Sequence, residues 1–270
     1  MAITAADVKK LRDATGAGMM DAKKALTEAD GDFDAAIELL RISGQAKMAK
    51  RADREASNGL VAASGKTVIQ LAAETDFVAK NAEFMQLAAD IAEALDAAAP
   101  ADLEAAKAVT MANGKTVNDA ITELSAKIGE KLELANVATY DGTVSIYLHK
   151  RSQDLPPQVG VMVEYTGDDD EFARGIAMQI AAMSPGYVTR EDVPAEIIEH
   201  ERHIAELTAL EEGKPENIVA RIVDGRMNGF FKEVCLIEQP SVSDDKLTVG
   251  QLLDKNQTTI TRFVRFAAGA

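Results

Sequence analysis

Thr67-Val-Ile-Gln-Leu-Ala-Ala-Glu-Thr-Asp-Phe-Val-Ala-Lys-Asn-Ala-Glu83 is the stretch on which the fold class turns. Its first seven residues, Thr67 to Ala73, form a short apolar run that reads as a strand. The alanine-rich segment from Ala82 to Ala99 that follows the stretch reads as a helix stopped by Pro100. Residues 74–81 join the two, so they form a strand-to-helix corner, and corners lie on the surface. An acid beside an aromatic there, Asp76 and Phe77, is a candidate anchor for a partner. The competing reading is that Phe77 folds back as core, the commoner fate of a phenylalanine. Upstream, Leu60 to Ala63 and the Thr67 run flank Ser64-Gly65-Lys66, a hairpin signal. Antiparallel strands followed by helices point to an α+β protein.

Composition limits what such a protein can do. The chain has 270 residues, enough for roughly two domains. Apolar residues make up 47%, but aromatics only 4% with no Trp, so the cores must be built from Ala, Val, Ile, Leu and Met. The net charge is −15, and residues 1–58 are balanced, so the excess of acid lies beyond them. An acidic body repels phosphate backbones, which argues against nucleic acid as the main partner. It suits docking on a basic or mixed protein surface. Cys235 is the only cysteine, which excludes an internal disulfide and a cysteine-based zinc site. The N-terminus lacks a signal pattern, and no apolar run is long enough to span a membrane. A cytoplasmic protein without membrane attachment is expected.

Working outward toward the N-terminus, residues 1–44 read as three short helices. Thr4 caps the first, with Asp7 completing a weak capping box, and Val8, Leu11 and Ala14 follow at helical spacing. Gly16-Ala17-Gly18 breaks it, Met19 to Ala29 forms the second, and Asp32 caps the third. There Phe33, Ala36, Ile37 and Leu40 share a face, and Gly44 reads as the C′ residue. Gln45 to Ser57 reads as a solvated helix or linker. In the other direction, Val117 to Ile128 is a helix ended by Gly129. Leu132 to Tyr140 and Thr143 to His149 flank Asp141-Gly142, the strongest hairpin turn in the chain. Val159 to Tyr165 is a strand, Glu171 to Met183 a helix, and Thr259 to Ala267 a closing strand. Ala195 to Glu211 and Pro215 to Asp224 form an antiparallel helical hairpin, with Ile197, Ile198, Ile204 and Leu207 on one stripe and Ile218, Ile222 and Val223 on the other. A faint repeat relates Glu83-Phe84, Leu87-Ala88 and Ile91-Ala92 to Glu171-Phe172, Ile176-Ala177 and Ile180-Ala181, which suggests two related α+β units. Only the first unit carries the Thr75–Lys80 insertion.

Signatures of catalysis are missing. No phosphate-binding or dinucleotide glycine loop occurs, and no Ser, Cys or Thr has a signposted base. His200 and His203 are spaced to share a metal, but a solvated pair is favoured. Asp168 to Glu171 reads as acid placed at a helix start. No enzyme activity, metal, cofactor or small-molecule ligand of its own is expected.

Several segments together resemble bacterial elongation factor Ts, the nucleotide-exchange factor of the GTPase elongation factor Tu. They begin with Leu11-Arg-Asp-Ala-Thr-Gly-Ala-Gly-Met-Met-Asp21, Lys23-Lys-Ala-Leu26 and Gly31-Asp32. Glu74 to Asn81 and Ala126-Lys-Ile-Gly-Glu130 follow, then Gly225-Arg-Met227 with Phe230-Phe-Lys-Glu233. Val249-Gly-Gln-Leu-Leu253 and Arg262-Phe-Val-Arg-Phe266 complete the ordered set, which spans essentially the whole chain.

The resemblance implies an N-terminal three-helix module similar to ubiquitin-associated domains (residues 1–54 with its linker). It implies a duplicated core with antiparallel sheets, 55–139 and then 140–193 with 226–270, and an inserted coiled-coil hairpin, 194–225. It implies elongation factor Tu as partner, with Thr75, Asp76, Phe77 and Val78 as a wedge that disturbs the partner's Mg²⁺ site. Leu11, Arg12, Gly18, Met19 and Met20 would contact the partner from the N-terminal module. At least one of the two methionines is expected to be core. Ile128, Gly129 and Gln179 would contact it from the core. Three departures stand out: Gln179 replaces a common His, Ala135-Asn136 replaces a basic pair, and the sequence ends at Ala270 where some members carry a further helical module, so a smaller interface is expected. Rival readings are an adaptor for ubiquitin-like folds working through residues 1–44, a cation-dependent enzyme using Asp168–Glu171, and a scaffold built on the hairpin.

Overall fold

The computed structural model describes residues 3–49, 51 and 53–269, with side chains left out for 45–49. The elements follow in the order α1 (Ala5–Thr15), α2 (Met19–Glu28), α3 (Phe33–Ala49), β1 (Asn58–Ser64), β2 (Thr67–Ala73), α4 (Asp76–Ala79), α5 (Ala82–Ala98), α6 (Leu103–Ala108), α7 (Val117–Ile128), β3 (Leu132–Thr139), β4 (Val144–His149), β5 (Val159–Thr166), α8 (Asp170–Met183), α9 (Ala195–Glu211), α10 (Glu216–Val234), α11 (Val249–Lys255) and β6 (Thr259–Ala267). This is an α+β protein, as the strand-then-helix pattern predicts. The chain divides into two compact units. The first runs to Thr139 and includes Leu148–Gly160 and the chain from Phe266; the second holds Tyr140–Tyr147 and Val161–Arg265.

In the first unit, α1 starts with the capping box expected at Thr4 and Asp7 and ends at Gly16 in the left-handed region. Val8, Leu11, Ala22, Ala25, Leu26 and Ala36 form the small core of the three helices. Gly44 does not end α3, which continues to Ala49. The reason is tertiary. Gly44 is buried where α3 packs on α7, and a Cβ placed there would sit 3.7 Å from that of Ala126. Arg41 adds an ion pair to Asp119 at 2.7 Å. A helix kept in register by a neighbour overrides the local preference of glycine for a stop.

The first sheet has the order β1-β2-β3, antiparallel throughout. Ser64 pairs with Thr67, so the expected hairpin closes on two residues, Gly65 and Lys66. The core lies between this sheet and α5, α6 and α7, with Ile69, Leu71, Phe84, Ile91, Leu95, Ile121 and Leu132 at its centre. Thr116 and Gly129 cap α7 at the two ends read from the sequence.

The second sheet has the order β4-β5-β6. Bonds from Tyr165 N to Thr143 O and from Gln158 N to His149 O make β4 and β5 antiparallel. Asp141-Gly142 is therefore not a hairpin turn: β3 pairs with β2, and β4 with β5. Gly142 is not among the glycines with positive φ, which a tight Asp-Gly hairpin turn requires. Its N–H donates to Glu164 Oε1 at 2.9 Å instead. Each of the two strands pairs with a strand other than the one across Asp141-Gly142.

The helical hairpin also differs in detail. α10 runs unbroken through Gly225 to Val234, so the boundary expected at residue 225 falls inside a helix. The seam holds Ala205 and Ala209 against Val219, Val223, Met227 and Phe231, with Ile197, Ile198 and Ile222 of the expected stripes half-buried against it. Ile204, Leu207 and Ile218 are exposed.

Candidate functional site

The corner between β2 and α5 is built from two caps. Thr75, in extended conformation, caps the four-residue helix α4, its Oγ1 accepting from Val78 N at 3.5 Å. Asn81 caps α5, its Oδ1 accepting from Glu83 N at 2.8 Å and Phe84 N at 3.3 Å. Satisfying these first-turn amides fixes where each helix starts.

Between the caps, successive α4 residues point about 100° apart. Val78, 6% exposed, and Ala79 turn into the core and pin the helix. Phe77 is left pointing outward and is 79% exposed. It does not fold back; the buried positions of this corner are taken by Val78, Ala79 and Phe84. Asp76 sits beside it, half-exposed, with Lys80 Nζ at 3.7 Å. Lys80 also donates to Asp154 at 3.1 Å, which tethers the corner to the loop after β4. The Ser152 hydroxyl first, and Lys80 next, hold the Asp154 carboxyl down at about 2. Contact with Asp154 raises the Lys80 ammonium above its usual range.

The base of the corner is held from across the sheet. Thr75 donates its N–H to Glu130 Oε2 at 3.0 Å and its hydroxyl to Glu130 Oε1 at 2.8 Å. Lys131 N donates to Glu74 Oε1 at 2.5 Å, and Arg54 approaches the same carboxylate at 3.3 Å. The Lys131 amide, with Arg54 second, keeps the Glu74 carboxyl below its ordinary value. Sequence reading gave neither acid a role, although Glu74 opens the Glu74–Asn81 motif and Glu130 closes the Ala126–Glu130 motif.

The other expected site residues divide by burial. Met19 and Met20 lie in the first turn of α2, 49% and 76% exposed, so neither is core. Gly18 caps that helix, and Arg12 is exposed on α1. Leu11 is fully buried in the three-helix core and offers no surface to a partner. Val78 is likewise an internal anchor. Ile128 is half-buried against the first core, and Gly129 is the exposed left-handed end of α7.

Gln179 is 2% exposed and fully bonded. Its amide donates to Gln239 Oε1 and Pro240 O, both at 3.2 Å, and its oxygen accepts from Val242 N at 2.8 Å. It clamps the loop before α11 and has no atom to give a partner. A buried amide needs several partners at once, and the length of Gln reaches all three.

The arrangement suits docking. Among the described residues no group of three His, Cys, Asp or Glu could hold a metal. Burial pushes the Cys235 thiol up to about 11, far from a reactive thiolate. No described helix is long and apolar enough to cross a membrane.

The feature that sets this corner apart is an exposed aromatic, Phe77, held between two capped helix starts. The family described as Elongation factor TS matches residues 74–270. Over essentially their full lengths, the chain is 64% identical to elongation factor Ts of Cutibacterium acnes, with all of each chain covered. It is 58% identical to elongation factor Ts of Rhodococcus erythropolis, covering 99% of this chain and 98% of the relative. Against that of Mycobacterium tuberculosis it is 58% identical, with 98% of each covered. The chain belongs to the elongation factor Ts family of translation elongation factors.

Proposed function

We propose that this protein is the guanine-nucleotide exchange factor of elongation factor Tu, acting in the cytoplasm by binding alone. The observation that carries the proposal is the outward Phe77 on a corner whose ends are both capped. Burying a phenylalanine contributes about 1.5–3 kcal/mol, and this side chain keeps nearly all of that for a partner. Asp76, beside it, supplies a charge that competes for polar groups near the partner's metal. Thr75 and Val78 hold the pair in place from below.

A GTPase holds GDP through a phosphate loop, a helix N-terminus and Mg²⁺. Mg²⁺ demands near-ideal octahedral geometry, so shifting the helices that carry its ligands weakens nucleotide holding. Insertion of Phe77 supplies that shift from binding energy. Linkage then makes GDP or GTP expel the factor by the same ratio as the factor expels nucleotide. Met19 and Met20, flexible and polarisable, form a second adaptable contact, joined by Arg12 and Gly129.

The test is release of fluorescent GDP from elongation factor Tu with the native chain and with an Asp76→Ala/Phe77→Ala variant. The native chain is expected to accelerate release strongly, and the variant to lose at least about tenfold of that rate while staying folded. A folded variant as fast as the native chain would move the contact elsewhere. No acceleration by the native chain would sink the proposal.

A further inference from the structure

The β2–β3 ladder ends at the pair Ala73 and Leu132. Continued in register, Glu74 would face Lys131 and Thr75 would face Glu130. Both pairs are bonded, but by side chains. The Glu74 carboxylate takes the Lys131 amide, and the Glu130 carboxylate takes the Thr75 amide. Two acids thus extend the ladder by two residues after the backbone has stopped supplying acceptors. This leaves the Thr75 carbonyl free to accept from Ala79 N at 3.4 Å in the first turn of α4.

Glu130 does a second thing. It takes the Thr75 hydroxyl proton, so the hydroxyl must turn a lone pair toward Val78 N, the cap bond of α4. Glu130 is itself fixed. Gly129 turns the chain in the left-handed region at φ 93°, and the buried Ser125 hydroxyl donates to the Glu130 carbonyl at 2.5 Å. Arg51 donates to Ser125 O at 3.0 Å, which joins the segment before β1 to the same chain of bonds.

We infer that Glu130 is a positioning residue of the exchange surface, resting on the function proposed above: it sets the Thr75 cap and so the direction in which α4 presents Phe77. A carboxylate accepting two bonds from one residue fixes both its backbone and its side-chain rotor. Glutamine cannot do this, since its NH₂ would face a second donor.

The experiment measures GDP release from elongation factor Tu over a range of factor concentrations. It uses the native chain, Glu130→Gln, Phe77→Ala and the double variant. Loss of one charge-assisted bond predicts about a tenfold fall in the maximal release rate for Glu130→Gln, with the half-saturating concentration unchanged. In the Phe77→Ala background the same change is expected to cost little more, because there is no wedge left to aim. Thr75→Val should behave as Glu130→Gln does, and Thr75→Ser as the native chain; this pair carries the test if Glu130→Gln does not fold. A native rate for Glu130→Gln beside a slow Phe77→Ala would overturn the role of Glu130 and leave the exchange function standing. An equal loss with and without Phe77 would also overturn it. A native chain without effect on GDP release would instead remove the function on which the inference rests.

Discussion

The two strand-to-helix corners of this protein solve the same problem with different amounts of chain. After β5 the second unit turns into α8 within three residues. Gly167 stands at φ 134°, where a Cβ would sit 3.0 Å from the Thr258 hydroxyl, and Asp169 caps α8 through Phe172 N at 2.9 Å. After β2 the first unit spends Glu74 to Asn81 on the turn, with a four-residue helix and two caps. Topology needs only the short version. The longer corner carries one thing the short one lacks, an exposed Phe77. Its additional backbone needs additional hydrogen bonds, which Glu74 and Glu130 provide.

The comparison breaks most visibly at the two phenylalanines of the long corner. Phe84 is fully buried, and Phe84→Ala is expected to destabilise the first unit by about 3–5 kcal/mol in urea unfolding. Phe77→Ala, seven residues earlier, should change stability by under about 0.5 kcal/mol while removing exchange. Equal losses of stability would mean that Phe77 is core in solution.

The short corner should fail at its glycine. Gly167→Ala combines a left-handed φ with a close contact, and a loss of about 1–3 kcal/mol is expected by thermal or urea unfolding. A neutral result would show that the close approach to Thr258 is easily relaxed.

The helix starts should be matched. Asn81→Ala and Asp169→Ala each remove one cap and should each cost about 1 kcal/mol. Only Asn81→Ala should also slow GDP release, since it loosens the corner that carries Phe77.

The smallest effects are in acid. Arg262 is the main cause that holds the Glu164 carboxyl down at about 2, against an ordinary 4.5, with Gly142 N and Thr261 assisting. A depressed carboxyl contributes fully above its unfolded value and loses that contribution as pH falls through the folded one. Stability of the second unit should therefore decline between pH 4.5 and about 2, and Arg262→Ala should flatten that decline. Glu74 in the first unit has the same sign, so Glu74→Gln should flatten the acid response there below pH 4.5.

Much of the fold was legible because it rests on local bonds. The capping box at Thr4 and Asp7, the stop at Gly129 and the turn at Gly65-Lys66 each close within a few residues. Asp141-Gly142 carried an equally strong local signal and misled, because the strands on either side of it pair elsewhere, β3 with β2 and β4 with β5. The site was half legible. The position of Asp76 and Phe77 at a corner was in the sequence. The burial of Val78 and Gln179 was not, and neither was the exposure of both Met19 and Met20.

The sequence by itself determined where most helices and strands begin, the absence of an internal disulfide, and the corner that carries Phe77. Tertiary structure decided that α3 runs past Gly44 and α10 past Gly225, that β3 and β4 join different sheets, and that Glu130 reaches Thr75. The division has one physical cause. Caps and turns are bonded to residues three or four positions away, so their chemistry is written where they stand. Burial, strand partners and the Glu130 contact join residues dozens of positions apart, and only the packed chain brings them together.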